Sequence, residues 1–88
     1  MAPVYEYKAP DDYKPEEIIL QDELATDCFV KTLALKEPTK YGMCYESAYV
    51  NTAKKLRKSL FFFHNKMTAE LGHKRSVEYA TEMRAKRR

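Results

Sequence analysis

Leu60-Phe61-Phe62-Phe63 is the longest apolar run in the chain, and no other feature restricts the fold so tightly. Four residues fall far short of the ~20 that a membrane-crossing helix needs, so no span is expected. The run sits in a segment with helical period, where Tyr45, Tyr49, Thr52, Leu56, Leu60, Phe63, Met67 and Leu71 recur at spacings of three and four. That spacing predicts a helix over 43–71. On a helix, successive residues step round by ~100°, so four bulky neighbours occupy nearly the whole circumference. One packed helix cannot bury them all, and phenylalanines left in water would form an aggregation-prone patch. Leu60, Phe61, Phe62 and Phe63 are therefore expected to be buried against another subunit.

The flanking segments complete an all-α expectation. Pro15 suits a first helical position, Glu16 and Glu17 favour the positive end of the helix dipole, and Ile18, Leu24, Ala25, Cys28, Phe29 and Leu33 mark an apolar face. This predicts a first helix over 15–36, ended by Pro38. Before it, three prolines (Pro3, Pro10, Pro15) disfavour helix, and Tyr5, Tyr7 and Tyr13 have no core of their own to enter. The expectation there is an extended arm over 1–14 whose tyrosines anchor on a neighbour. Gly72 is read as a helix stop, and 72–88 as a short basic C-terminal helix or tail. The expected fold is an all-α helical hairpin over 15–71 with an extended N-terminal arm and a short C-terminal helix.

Charge is divided unevenly along the 88 residues. Up to Pro38 there are four Lys/Arg against nine Asp/Glu, and beyond it twelve against four. Lys54, Lys55, Arg57 and Lys58 form one basic patch with Arg84, Lys86, Arg87 and Arg88. Such polarity serves either two elements that neutralise each other or a basic face for RNA, acidic lipid or an acidic protein. No nucleic-acid reading motif accompanies it.

Nothing in the sequence marks a catalytic or cofactor site. The two glycines lie in no phosphate-cradling run, and no nucleophile, base and orienting partner are recognisable together. Cys28, Cys44, His64 and His73, at Cys-x15-Cys-x19-His-x8-His, lack the closely paired ligands of a structural zinc site. The expectation is no enzyme, no cofactor and no metal. The two cysteines read either as a disulfide stapling the hairpin or as two buried thiols acting as small apolar residues.

The stretch Cys28-Phe29-Val30 through Met43-Cys44-Tyr45-Glu46-Ser47 resembles the inner cysteine pair of the coiled-coil-helix–coiled-coil-helix (twin-cysteine) proteins of mitochondria. The likeness covers about a third of the chain. The outer pair of that family would fall at Ile18 and Lys54, so the second disulfide is missing. The resemblance implies a Cys28–Cys44 disulfide, residence on the intermembrane-space side, and import by an internal signal; the start of the chain resembles neither a secretory signal nor an Arg-rich presequence. Otherwise the matrix, cytosol or nucleus is expected. The expected role is a non-catalytic structural accessory subunit of a large complex, on the resemblance a mitochondrial respiratory-chain or ATP-synthase complex, fastening neighbouring protein subunits. The alternative is a small RNA-contacting protein of ribosomal type.

Overall fold

Strand alternation governs the middle of this chain. The computed structural model describes residues 11–86. Four strands, β1 (Ile18–Ala25), β2 (Cys28–Ala34), β3 (Tyr45–Asn51) and β4 (Leu56–Phe63), precede one helix, α1 (Lys66–Lys86). The strands form a single antiparallel sheet in the order β1-β2-β3-β4. The all-α helical hairpin expected over 15–71 is therefore overturned, and the only helix among the described residues begins where the second predicted one was to end.

The physical reason is a degenerate period. Residues four apart share a face in a strand as well as in a helix, so Tyr45 and Tyr49 lie on one side of β3, opposite Ala34 and Val30 of β2. Bulges supply the spacings of three. At Leu60 the register slips, so that Ser59 faces Ala48 but Phe61 faces Ser47; Lys58 and Phe61, three apart, thereby share a face. The residues themselves favour strand, since Val30, Thr32, Tyr49 and Val50 are β-branched or aromatic.

Turn chemistry holds the meander without a glycine at either tight turn. Asp27 takes a left-handed φ of 63° between β1 and β2, and Lys55 takes 52° between β3 and β4. The Asn51 side chain accepts a hydrogen bond from Lys54 N at 3.0 Å. The loop between β2 and β3 is built on Thr39, whose hydroxyl accepts from Tyr41 N and Met43 N at 3.3 and 3.2 Å, and on Gly42 with φ 80°. Asn65 caps α1 by accepting from Thr68 N at 2.8 Å.

Helix α1 crosses one face of the sheet through small residues. Ala69, His73, Ser76 and Ala80 are buried at spacings of three and four, and Gly72 brings the helix close to Phe63. Gly72 thus serves close packing inside a continuous helix, in place of the stop the sequence suggested. On the sheet, Cys28, Val30, Thr32 and Ala34 alternate inward. The fully buried side chains are few, and four of the five largest, Tyr45, Thr32, Ser47 and Ser76, carry hydroxyls. Such a core is thin and partly polar, so its hydrogen bonds matter as much as its contacts.

Candidate functional site

The sheet has two unlike faces. One packs on α1. The other is formed by Gln21 and Glu23 of β1, Phe29, Lys31 and Leu33 of β2, Glu46, Ala48 and Val50 of β3, and Arg57, Ser59 and Phe62 of β4, the partners that the cross-strand register places together. No helix or strand among the described residues covers this second face. It is a mixed face, with Phe29, Leu33, Ala48, Val50 and Phe62 set among the charges of Lys31, Glu46 and Arg57, and the Lys31 ammonium lies 5.8 Å from the Phe29 ring centroid. The Glu46 carboxylate, only 6% exposed, pairs with the Arg57 guanidinium and accepts from the Ser59 hydroxyl at 2.8 Å. At the rim, Tyr41 and Met43 of the β2–β3 loop meet Phe62 around an apolar hollow of about 440 Å³. Tyr41 is 65% and Phe62 45% exposed.

The strand divides the aromatic run by alternation. Phe63 faces α1 and packs on the core of Ala34, Cys44, Tyr45 and Ala69. Phe61 faces the same way, its ring edge-on to Tyr79 at 5.6 Å. Phe62 points to the open face, and Leu60 sits half-buried at the bulge. Only Phe62 of the three phenylalanines is exposed. Tyr13 packs on the same core, edge-on to Tyr45 at 6.0 Å, and donates its hydroxyl proton to the Leu35 carbonyl. Tyr5 and Tyr7 lie outside the described residues.

The basic run is divided in the same way. Arg57 turns to the open face and Glu46. Lys58, next in sequence, lies on the helix side, its Nζ 3.9 Å from Met83 Sδ. Lys54, Lys58 and Arg84, far apart in sequence, converge on one pocket of about 230 Å³ with Cys28, Tyr49, Asn51, Leu56 and Met83. Lys55 lies at the β3–β4 turn and Lys86 at the end of α1; Arg87 and Arg88 lie outside the described residues.

Cys28 and Cys44 are both free thiols, which overturns the expected disulfide. Cys28 begins β2, whereas Cys44 precedes β3 beside Leu35, whose N–H it accepts at 2.8 Å. The length of β2 separates them, about 20 Å at ~3.3 Å per residue, against the ~4.4–6.8 Å a disulfide spans between Cα atoms. The stretch carrying the twin-cysteine likeness is strand, loop and strand, with no helical hairpin to staple. Tyr49 hydroxyl and Asn51 Nδ2 donate to the Cys28 sulfur at 3.3 and 3.4 Å. The bond to Cys28, together with burial, holds the Tyr49 hydroxyl above its ordinary range, while Asn51 and Arg84 pull it the other way. Burial alone raises the Cys44 thiol.

One constellation has no signal in the sequence. Ser47 Oγ lies 2.6 Å from Thr32 Oγ1, Thr32 Oγ1 lies 2.6 Å from His73 Nδ1, and His73 Nε2 lies 2.6 Å from Asp22 Oδ2. With a neutral ring, Ser47 donates to Thr32, Thr32 to Nδ1, and Nε2–H to the carboxylate, so every atom is satisfied. The order carboxylate, imidazole, hydroxyl is that of a hydrolytic triad, but both hydroxyls are fully buried and no substrate carbon reaches them. The chain of bonds pins α1 to three strands. The bonded pairs are 15 to 51 positions apart, and only the register brings them together. His64, by contrast, approaches the Gly42 carbonyl at 3.3 Å.

No helix among the described residues is long and apolar enough to cross a membrane. Compared with known proteins, the chain matches no family model, no curated protein and no solved structure.

Proposed function

We propose that this protein is a non-catalytic structural accessory subunit of a larger assembly, held there by the open face of its sheet. The observation that carries the reading is a sheet face, with Phe29, Leu33, Val50 and Phe62 on it, that no helix or strand among the described residues covers. A sheet buries its apolar face against another element, and here α1 serves one side only. Phe29, Leu33, Val50 and Phe62 line the other side, with the Tyr41 rim beside them. Glu46 on that face is already neutralised by Arg57 and Ser59, while Lys31, over the Phe29 ring at 5.8 Å, is the cation that an acidic group of the partner would answer. Aromatic residues are the common anchors of such interfaces.

The assembly is not assigned to mitochondria, because the likeness that suggested it rested on a helical hairpin and the stretch is strand. The test is gentle native purification of the tagged chain, with Phe62→Lys as the comparison. Specific proteins that stay bound through rising salt, and are lost on the Phe62 substitution while the circular dichroism spectrum is kept, support the reading. Retention that collapses with salt and ignores the substitution would overturn it in favour of RNA or acidic lipid.

A further inference from the structure

We infer that the pocket between the β3–β4 hairpin and the end of α1 is a phosphate-binding site, distinct from the open sheet face. Three cationic side chains, Lys54, Lys58 and Arg84, line one concavity of about 230 Å³. No acidic residue lines it with them. Among the described residues none of the three cations has an ion pair, whereas Arg57 and Lys66 each have one. The acidic residue on the adjoining turn, Asp27, is engaged by the Thr52 hydroxyl at 3.3 Å. Like charges gathered in a concave site repel one another and focus potential into it, an arrangement an anion relieves.

The fold makes this convergence a consequence of strand alternation. Lys58 stands opposite Tyr49, and Leu56 opposite Asn51, on the side of the sheet that faces α1. The last turn of the helix then supplies Arg84 across the gap. Arg84 also answers the negative end of the helix dipole, which would otherwise oppose an anion there. The walls suit a phosphate ester better than a bare ion. Leu56 and Met83 give an apolar side, while the guanidinium and two ammonium groups supply the hydrogen-bond donors phosphate oxygens need. A concavity of about 230 Å³ has room for the phosphate group of an ester, with the rest of the ligand free to extend through its open side. Cys28 lies in the lining, so an anion bound there both covers its sulfur and disfavours its thiolate, and its reaction rate reports occupancy.

The experiment measures alkylation rates of Cys28 and Cys44 in the intact folded chain, with pyrophosphate as probe and sodium chloride at matched ionic strength as control. Pyrophosphate is expected to slow Cys28 by about threefold or more, with binding in the millimolar range, and to leave Cys44 unchanged at the far end of β2. The joint substitution Lys54→Gln, Lys58→Gln and Arg84→Gln should abolish this protection. Removing equal charge elsewhere, through Lys36→Gln, Lys40→Gln and Lys74→Gln, should not. Because all six are exposed surface positions, both variants should keep the native circular dichroism spectrum. A short single-stranded RNA that protects about tenfold more tightly than pyrophosphate identifies the phosphate as that of nucleic acid, and one that does no better identifies a free phosphate ester. Equal protection by chloride, protection that survives the pocket substitutions, or affinity for phosphatidylserine vesicles with none for pyrophosphate would overturn the inference.

Discussion

His73 Nε2 lies 2.6 Å from Asp22 Oδ2, so the first half of the helix is tied to an edge strand through a side chain that is itself buried. The same ring meets Thr32 on its other nitrogen, and Thr32 meets Ser47. His73→Leu should therefore cost about 2–3 kcal/mol, because it leaves buried polar partners short of a bond. Asp22→Asn should cost under about 1 kcal/mol, since the Asp22 side chain is 59% exposed and water replaces what is lost. Urea unfolding midpoints at constant m-value measure both. Equal losses for the two substitutions would contradict the burial argument.

Gly72 reverses the usual ranking of helix residues. In an open helix, glycine to alanine gains about 1 kcal/mol. Here a Cβ on residue 72 would enter the Phe63 ring, so Gly72→Ala should destabilise by about 1–3 kcal/mol through overpacking. Phe63→Leu in the same chain should recover part of that loss, which a double-mutant cycle on thermal unfolding would read as coupling. A simple gain of stability in Gly72→Ala would show that the helix does not pack this closely.

Gly72 also shows why so little of the fold was legible. In sequence it looks like a helix stop, but its reason for being glycine is a ring on a strand nine residues earlier. The spacing Tyr45 to Tyr49 looks helical because residues four apart share a face in a strand as well, and the spacing of three from Leu60 to Phe63 begins at the bulge where the register slips. No Asn-Gly or Asp-Gly pair announced the hairpins, since Asp27 and Lys55 take the left-handed turns. The alternation in β2 was the clearest strand signal, with Cys28, Val30, Thr32 and Ala34 inward and Phe29, Lys31 and Leu33 outward. Helical character near the C-terminus was legible, since a short helix or tail was expected over 72–88 and residues 72–86 do lie on α1. The basic residues were singled out as one patch. Their division into an open-face arginine and a pocket pair depends on register, which composition does not carry.

The cysteines offer a direct chemical check on the sheet. Both should be recovered as free thiols when fresh lysate is denatured in the presence of alkylating reagent. In the native chain Cys44 should react the more slowly. It is 3% exposed, and burial raises its pKa, so at neutral pH a larger share stays as the unreactive thiol; raising the pH should speed it. A Cys28–Cys44 disulfide in intact cells would contradict the fold, because the two sit at opposite ends of β2.

Phe61, Phe62 and Phe63 should respond in opposite ways to the same substitution. Phe63→Ala removes a ring packed on Ala34, Cys44, Tyr45 and Ala69, and should cost about 3–5 kcal/mol. With so thin a core, that loss should unfold much of the population. Phe61→Ala loses the edge-on contact with Tyr79, worth about 0.5–1.5 kcal/mol beyond its buried area, and should fall between. Phe62→Ala touches neither contact. Its ring lies on the open face beside Tyr41 and Met43, so thermal unfolding should shift little. If that face docks on a partner, the substitution that spares the fold is the one that releases the complex, by about 1–2 kcal/mol or more. Native retention and unfolding midpoints measured on all three variants separate the roles. Equal destabilisation by Phe62→Ala and Phe63→Ala would mean the run packs on all sides as a helix would, and loss of the complex only in the variants that unfold would remove the open face as the docking surface.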